Sequence, residues 1–259
     1  MPADAFYEVV GPGVVRSTEH TVGPWTPTDQ HAGPPAALMA RAIEGVLPAG
    51  GRVSRVTVDL LGAVPVAELT VRARVLRPGR SVQLAEAELA ADGQPVARAT
   101  AWWHLASDTT AVAGAPEPPP AGPDGATPEA VTWADGGYLA AMEWVPLAGG
   151  FNSPGAATVW ARMRHPLVAG EEPTGLQRLL VLADSGNGVS WRLDPAEWLF
   201  VNTELTVHVL RLPDGEWLCL DAATEIAPDG TGLAASTLSD RAGRVARGAQ
   251  ALLIRPRRR

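Results

Sequence analysis

The chain has 259 residues and a formal net charge of -7, with 46% hydrophobic and 19% charged residues. This composition indicates a globular protein with a sizeable core. All 21 basic residues are arginine, which excludes Schiff-base, pyridoxal, P-loop and protein-kinase chemistry because each needs a lysine. The acidic balance argues against nucleic acid, and no apolar run or signal core points to a membrane. We therefore expect a cytoplasmic protein that binds neither nucleic acid nor a membrane.

The cysteine and histidine content predicts no metal centre and no other cofactor. Cys219 is the only cysteine and lies between two leucines, so it is predicted to be a buried structural thiol. The histidines are scattered, with no HExxH or similar pairing that would indicate a catalytic zinc. They are His20, His31, His104, His165 and His208.

A proline-rich segment divides the chain into two halves. Residues 107–130 contain six prolines with glycines between them, a composition that excludes a helix or a central strand. We predict an N-terminal unit over residues 1–106, a linker over 107–130 and a C-terminal unit over 131–259.

The N-terminal unit is predicted to consist of short strands, one helix and four longer strands. Gly33-Pro34-Pro35 opens a periodic apolar helix over Ala36–Val46, because proline is tolerated in a first helical turn. Hairpin turns at Pro78-Gly79 and Asp92-Gly93 separate later strands. The predicted strands are Phe6–Glu8, Val14–His20, Val53–Leu61, Ala67–Leu76, Ser81–Ala90 and Pro95–His104.

The C-terminal unit repeats this order of elements. Its helix opens at Pro173-Thr174-Gly175 and is predicted over Leu176–Ser185. Turns containing glycine again separate the strands that follow. The predicted strands are Tyr138–Val145, Ala157–Arg164, Leu199–Leu210, Glu216–Glu225, Gly232–Asp240 and Arg244–Ile254.

The shared order of elements indicates a duplicated unit, and Val96-Ala97-Arg98 recurs near the end of the chain as Val245-Ala246-Arg247. Short strands, one apolar helix and an antiparallel meander predict an α+β fold in which a sheet wraps around a central helix, the hot-dog arrangement. Such units pair by extending the sheet. We therefore predict a double hot-dog chain, whose remaining sheet edges favour a homodimer or a higher homo-oligomer.

Two segments resemble the acyl-CoA thioesterase II (TesB-like) double hot-dog family. They are residues 30–38, QHAGPPAAL, and residues 180–188, LVLADSGNG. The resemblance extends over nearly the whole chain outside the linker. It implies a hydrolase of fatty acid metabolism that cleaves an acyl-CoA or acyl-carrier thioester with an activated water, without a covalent intermediate and without a cofactor.

The resemblance also implies a set of three water-activating side chains. The family's aspartate falls on Asp184 and its glutamine on Gln250. The family's threonine falls on Asn202, with Thr203 one residue away on the opposite face of the strand and assigned to substrate binding. Asn202 therefore departs from the family pattern.

Two of these residues also stand out from their own surroundings. Asp184 ends an apolar helix, and Gln250 lies in an apolar strand where the repeat places Ala101 in the first unit. Buried polar groups need hydrogen-bond partners, so a single active site in the second unit would explain this asymmetry. The alternatives are that Asp184 caps the turn at residues 186–188 and that Gln250 faces water at a sheet end.

The start of the first helix is predicted to bind the reacting carbonyl. Gly33 allows close backbone approach, and free N–H groups in a first helical turn suit a developing oxyanion. His31 is either a further donor or a surface residue. Nine tryptophans accompany only three phenylalanines; most are expected in the core, with Trp25 and Trp191 lining an acyl pocket.

Three other functions stay open at this level. The chain could bind an acyl thioester or a hydrophobic metabolite without hydrolysing it, an alternative that the Asn202 departure favours. A hydratase of the same fold would need a histidine shortly after the helix aspartate, and none follows Asp184 before His208. A purely structural role would leave the two polar positions unexplained.

Overall fold

The computed structural model describes residues 4–115, 117–118, 120–132 and 136–257. Within these ranges, thirteen strands form one antiparallel sheet that is accompanied by four α-helices. The strands are β1 Tyr7–Gly11, β2 Val14–Ser17, β3 Gly51–Leu60, β4 Glu68–Arg77, β5 Val82–Ala91, β6 Gln94–Leu105, β7 Met142–Gly150, β8 Ser153–Met163, β9 Trp198–Asn202, β10 Glu204–Val209, β11 Leu218–Ile226, β12 Thr231–Asp240 and β13 Gly243–Pro256. The helices are α1 Gly33–Glu44, α2 Gly137–Ala141, α3 Gly175–Ala183 and α4 Gly186–Val189.

The two halves of the chain join edge to edge in this sheet. The strand order is β1-β2-β4-β5-β6-β3-β10-β13-β12-β11-β8-β7, with β9 paired to β13. At the junction, β3 pairs with β10 in a register that sets Thr57 opposite Thr206. The inner edge of each half-sheet is thereby paired, which removes two exposed edges.

The helices α1 and α3 lie side by side and run in opposite directions. α1 begins at Gly33, where a β-carbon would lie 2.3 Å from the carbonyl oxygen of Val181 near the end of α3. At the opposite end, the Glu44 carboxylate accepts hydrogen bonds from the Thr174 hydroxyl and the Gln177 amide at the start of α3. The start of α1 therefore meets the end of α3.

Each long helix packs on strands from its own half. α1 contacts β4, β5 and β6, whereas α3 contacts β8, β10, β11 and β12. The core around these two helices is apolar, and Leu38, Met39 and Ile43 of α1 and Leu179 of α3 are each at 0% exposure. Among the described residues, no helix combines the length and apolar character needed to cross a bilayer.

Two predicted strands are wrong in part. The strand predicted over Tyr138–Val145 begins only at Met142, because residues 137–141 form the short helix α2. Gly136 and Gly137 precede this turn with φ values of 76° and 58°, which a β-branched strand former would not adopt. The strand predicted over Leu199–Leu210 is broken at Thr203 into β9 and β10.

Other boundaries differ by a few residues. The strand predicted to reach His20 ends at Ser17 and passes into a 3₁₀ turn over Glu19–Thr21. The second long helix ends at Ala183 rather than Ser185. The strand predicted from Glu216 begins two positions later, at Leu218, as β11. The linker contains one 3₁₀ turn over Thr110–Val112, while its Pro116 and Pro119 lie outside the described residues.

Candidate active site

A cavity of about 650 Å³ opens beside the paired ends of α1 and α3. Both halves of the chain line it, and most of the lining is apolar. The large apolar side chains that line it include Trp25, Leu139, Phe151, Trp191 and Phe200. A cavity of this size with a few polar groups is typical of a small-molecule site.

Asp184 is the buried carboxylate of this cavity. It caps the C-terminal end of α3, and its side chain is 4% exposed. Its Oδ1 accepts hydrogen bonds from Asn202 Nδ2 at 2.8 Å and from Gln250 Nε2 at 3.0 Å. The three residues that the family resemblance indicated are therefore in direct contact.

The orientation of the Gln250 amide is fixed from both sides. Its Nε2 also donates to the backbone carbonyl of Asp184 at 3.0 Å, and its Oε1 accepts from the Asn187 N–H at 2.9 Å. A β-carbon at Gly186 would lie 2.9 Å from Gln250 Oε1, so only glycine lets the chain pass this closely. Gln250 lies behind Asp184 and is not part of the cavity lining.

His31 approaches the other oxygen of Asp184. Its Nδ1 lies 3.2 Å from Asp184 Oδ2 and accepts a hydrogen bond from the Gly33 N–H at 3.1 Å. The imidazole stacks on the Tyr138 ring, with centroids 3.7 Å apart and planes 10° apart. Burial lowers the pKa of His31, and the Asp184 charge partly opposes this shift. The side chain is 11% exposed and lines the cavity.

The break at Thr203 brings two consecutive residues to the cavity. Asn202 ends β9 and Thr203 lies between β9 and β10, and both are part of the lining. The Thr203 N–H donates to the Ala251 carbonyl at 3.0 Å, and its own carbonyl accepts from the Leu60 N–H at 3.0 Å. These two backbone hydrogen bonds connect the break between β9 and β10 to β13 and to β3, one strand from each half.

The predicted substrate residues occupy different places. Trp25 lies at the cavity and is 37% exposed, and its ring meets Phe200 edge to face with centroids 5.0 Å apart. The Trp191 indole donates to the Phe151 carbonyl at 3.0 Å and also lines the cavity. Gly33 is buried against Val181 outside the lining, and its N–H is already bonded to His31. Trp133 lies outside the described residues.

Sequence reasoning missed three polar residues at this site. The Tyr138 hydroxyl contacts Ser185 Oγ at 2.7 Å and donates to the Val181 carbonyl at 2.8 Å. Asn187 donates through Nδ2 to the Phe200 carbonyl at 3.0 Å, and its buried Oδ1 has no hydrogen-bond partner in the part of the chain that is described. The Gly136-Gly137 pair before Tyr138 was the one available signal of a turn there.

One further cluster of possible metal ligands lies outside the cavity. Asp4, His20 and His165 place one ligand atom each within 4.8 Å of one another. The two imidazoles are stacked with planes 12° apart. Because imidazole lone pairs lie in the ring plane, parallel rings do not point their nitrogens at a common ion. This arrangement fits a stacked pair better than a metal centre.

Comparisons with known proteins identify the family. Residues 21–104 match the model of the acyl-CoA thioesterase N-terminal domain, and residues 112–254 match that of the acyl-CoA thioesterase C-terminal domain. A search of curated protein sequences found no match.

Solved structures show the same fold. A candidate thioesterase from Novosphingobium aromaticivorans is 22% identical, with 98% of both chains covered and a TM-score of 0.73. A protein of unknown function with a hot-dog fold from Alicyclobacillus acidocaldarius is 18% identical over 97% of both chains, with a TM-score of 0.77. The acyl-CoA thioesterase II TesB2 from Mycobacterium marinum is 15% identical over 97% of this chain and 95% of that chain, with a TM-score of 0.67.

The likeness to these structures shows a hot-dog fold, and the two domain matches together span most of the sequence. The chain therefore belongs to the acyl-CoA thioesterase family.

Proposed function

We propose that the protein hydrolyses an acyl-CoA or acyl-carrier thioester with a water that Asp184 activates, without a covalent intermediate. The observation that carries this proposal is the Asp184 carboxylate at the cavity, with one oxygen held by Asn202 and Gln250. Amide N–H groups are donors only, so they hold the ionised form of the carboxylate in one orientation. The second oxygen is left to accept the proton of an attacking water.

The one cysteine of the sequence does not favour a covalent route through a thiol. Cys219 is 1% exposed and lies in a separate apolar cluster with Val145 and Trp160. Burial raises the pKa of its thiol to about 12, so the thiolate that would attack a thioester is scarce at neutral pH. A water activated by a carboxylate needs no such group.

The apolar part of the cavity is suited to an acyl chain. Trp25 and Trp191 bound it with aromatic surface, and Thr203 adds a polar edge beside Asn202. The His31 Nε2–H is the donor that remains for the carbonyl oxygen when Nδ1 is bonded to Gly33. In this proposal Gly33 acts on the site through His31 and not by contacting the substrate.

The finer structural and cellular assignments remain proposals of the same kind. We propose a double hot-dog with units over residues 1–106 and 131–259, each wrapped around its own long helix. The strands β1 and β7 end the sheet. Tyr7 of β1 bridges to Val168, and the Trp144 carbonyl of β7 accepts from the Glu129 N–H, so it is the rest of these two edges that favours assembly into a homodimer or larger homo-oligomer. A role in cytoplasmic fatty acid metabolism would follow from the proposed activity.

The test is thiol release from a panel of acyl-CoAs, followed with a chromogenic thiol reagent. We expect turnover by the wild type and a fall on the order of a hundredfold in Asp184→Asn, which keeps the shape of the side chain but cannot take a proton. Asp29→Asn is the matched control, because Asp29 is another carboxylate of the cavity lining. Its turnover should stay within about threefold of the wild type.

Two other outcomes would replace the proposal. Saturable binding of an acyl-CoA without thiol release would indicate a binding protein of the same fold. Addition of water to an enoyl thioester would indicate a hydratase. Equal turnover by the wild type and Asp184→Asn would remove Asp184 from the mechanism.

A further inference from the structure

His31 Nδ1 has two neighbours that demand opposite protonation states. The Gly33 N–H, at 3.1 Å, is a donor and needs a lone pair on this nitrogen. Asp184 Oδ2, at 3.2 Å, belongs to a carboxylate and needs a proton there. Nδ1 cannot accept the Gly33 hydrogen bond and donate to Asp184 at the same time. A proton that moves onto Nδ1 therefore breaks the first contact and forms the second.

The surroundings keep this nitrogen where it is. The imidazole stacks on Tyr138, and the Tyr138 hydroxyl is itself held by Ser185 and by the Val181 carbonyl. On the other side, Asn202 and Gln250 hold Asp184 through Oδ1 and leave Oδ2 directed at the histidine. Neither partner needs to move for a proton to pass between them.

The Gly33 hydrogen bond favours a resting neutral His31 with its proton on Nε2, because Nδ1 is then free to accept. The imidazole lies at the N-terminal end of α1, where the helix dipole disfavours a positive charge. Burial lowers the pKa of His31, although the Asp184 charge opposes the shift. Burial also raises the pKa of the stacked Tyr138, which therefore stays a neutral phenol. Asp29 is the remaining titratable residue of the described cavity lining.

We propose that His31 Nδ1 stores the proton that Asp184 takes from the attacking water. This inference rests on the proposed hydrolysis. As the water oxygen bonds to the thioester carbon, its proton passes to Asp184 Oδ2 and the carbonyl π electrons move to the carbonyl oxygen. The proton then crosses the 3.2 Å contact to His31 Nδ1, which regenerates the carboxylate.

The second half of the reaction returns the proton. The carbon–sulfur bond breaks, its electron pair leaves with sulfur, and the stored proton passes through Asp184 Oδ2 to the thiolate. The products are a carboxylic acid and a thiol, and the pair of side chains ends as it began. While the proton is stored, the imidazolium partly balances the oxyanion charge, and only the Gly33 hydrogen bond is lost.

His31→Asn separates this role from a structural one. The asparagine Oδ1 can take the place of Nδ1 and accept from the Gly33 N–H, but it cannot hold a proton at neutral pH. We expect an unfolding midpoint within a few degrees of the wild type, an unchanged KM, and a kcat lowered about 10-fold to 100-fold. In the Asp184→Asn background, His31→Asn should lower kcat less than about twofold, because the two residues act as one unit.

The pH profile gives a second readout. In the wild type, kcat/KM should fall as the pH drops through the pKa of His31, which burial lowers from the ordinary histidine value of 6.5, because a protonated His31 has no vacant acceptor. This low-pH limb should disappear in His31→Asn. Nitrogen NMR of the resting protein should show the proton on Nε2, and Asp184→Asn should lower the pKa of His31 further, because the charge that opposes the shift is gone.

The possible failures are distinguishable. A wild type that releases no thiol from any acyl-CoA overturns the proposed function and this step together. An active wild type whose His31→Asn variant keeps the same kcat and the same low-pH limb overturns this step alone. A resting neutral imidazole with its proton on Nδ1 would also overturn it.

Discussion

The backbone of Gly33 lies so close to Val181 that a β-carbon would sit 2.3 Å from the Val181 carbonyl oxygen. The same glycine donates its N–H to His31, and the Val181 carbonyl accepts from the hydroxyl of Tyr138, whose ring stacks on this histidine. This close approach of the two long helices therefore also supports the candidate site. Any separation of α1 from α3 would shift His31 relative to Asp184.

Gly33→Ala should destabilise the protein and lower its activity. The clashing atom belongs to a helix backbone and cannot rotate away, so the helices must separate. We expect the free energy of unfolding to fall by about 1 to 3 kcal/mol, as for an overpacked core. Urea unfolding measures this change, with Gly114→Ala as the control, since a β-carbon there meets nothing within 4 Å. Equal stability of the two variants would contradict the tight contact.

Asn202 should be replaceable by threonine only in part. Its Nδ2 donates to Asp184 Oδ1 at 2.8 Å, and a threonine hydroxyl could donate to the same oxygen with a shorter reach. We expect kcat to fall about tenfold in Asn202→Thr and more in Asn202→Ala, which has no donor. Thr203→Val is the neighbouring control for kcat. Thr203 is assigned to substrate binding, and its hydroxyl contacts the Ala251 carbonyl at 3.4 Å rather than Asp184, so its loss should change KM and leave kcat unchanged. A kcat in Asn202→Ala equal to that of the control would remove Asn202 from the water-holding set.

The Asn202 position also shows how far the sequence alone could lead. The family resemblance indicated Asp184, Asn202 and Gln250, and the structure places both amides in contact with the Asp184 carboxylate; their role as a water-activating set stays a prediction. The motif could not show the break at Thr203. Residues 199–210 contain no glycine or proline, so the local pattern predicts a continuous strand. In the structure this segment is interrupted at Thr203, where it comes to pair with both β13 and β3.

At Tyr138 the sequence does indicate a turn, but it does not show which residue the Tyr138 ring contacts. The glycines at 136 and 137 mark a turn, and a β-carbon on Gly137 would lie 2.4 Å from the Val22 carbonyl. That contact joins residues more than 100 positions apart, so no local pattern could place the Tyr138 ring against His31. Stacking of this kind depends on how the two halves meet.

Trp25→Ala should weaken the binding of long acyl chains. The indole packs against Phe200 at the cavity, and the Arg257 guanidinium lies 5.7 Å from its centroid. Its removal should raise KM by about three- to tenfold for long chains, with little change for acetyl-CoA, because only a long chain would reach this aromatic surface. Trp217→Ala is the matched control, since Trp217 also stacks with an arginine, Arg162 at 4.9 Å, outside the cavity lining. A parallel rise of KM for every chain length would place Trp25 away from the acyl chain.

Cys219 should not react with the thiol reagent that follows the hydrolysis. It is 1% exposed, and burial raises its pKa to about 12. We expect no labelling of the native protein at pH 8 over the time of an assay and one thiol per chain in guanidinium chloride. Cys219→Ser should give the same turnover as the wild type with no thiol in either condition. Rapid labelling of the native protein would show that β11 opens locally.

The stability of the protein should fall as the pH drops below neutrality, in part because of His31. Its folded pKa is lowered below the ordinary value of 6.5, chiefly by burial, so the unfolded chain binds more protons than the folded one in the window just below 6.5. Stability is then fully present above 6.5 and is lost as the pH falls towards the folded pKa, with a slope of at most about 1.4 kcal/mol per pH unit for one proton. Burial lowers the pKa of His20 as well, so the wild type should show both contributions.

Urea unfolding between pH 5 and 7.5 measures this slope. His31→Asn should reduce it, whereas Gly114→Ala should leave it unchanged, because that variant removes no ionisable group and its β-carbon meets nothing within 4 Å. A slope in His31→Asn equal to that of the wild type would mean that His31 binds protons equally in the folded and unfolded chain. Because the asparagine still accepts from the Gly33 N–H, a lowered slope could not be attributed to a lost helix cap.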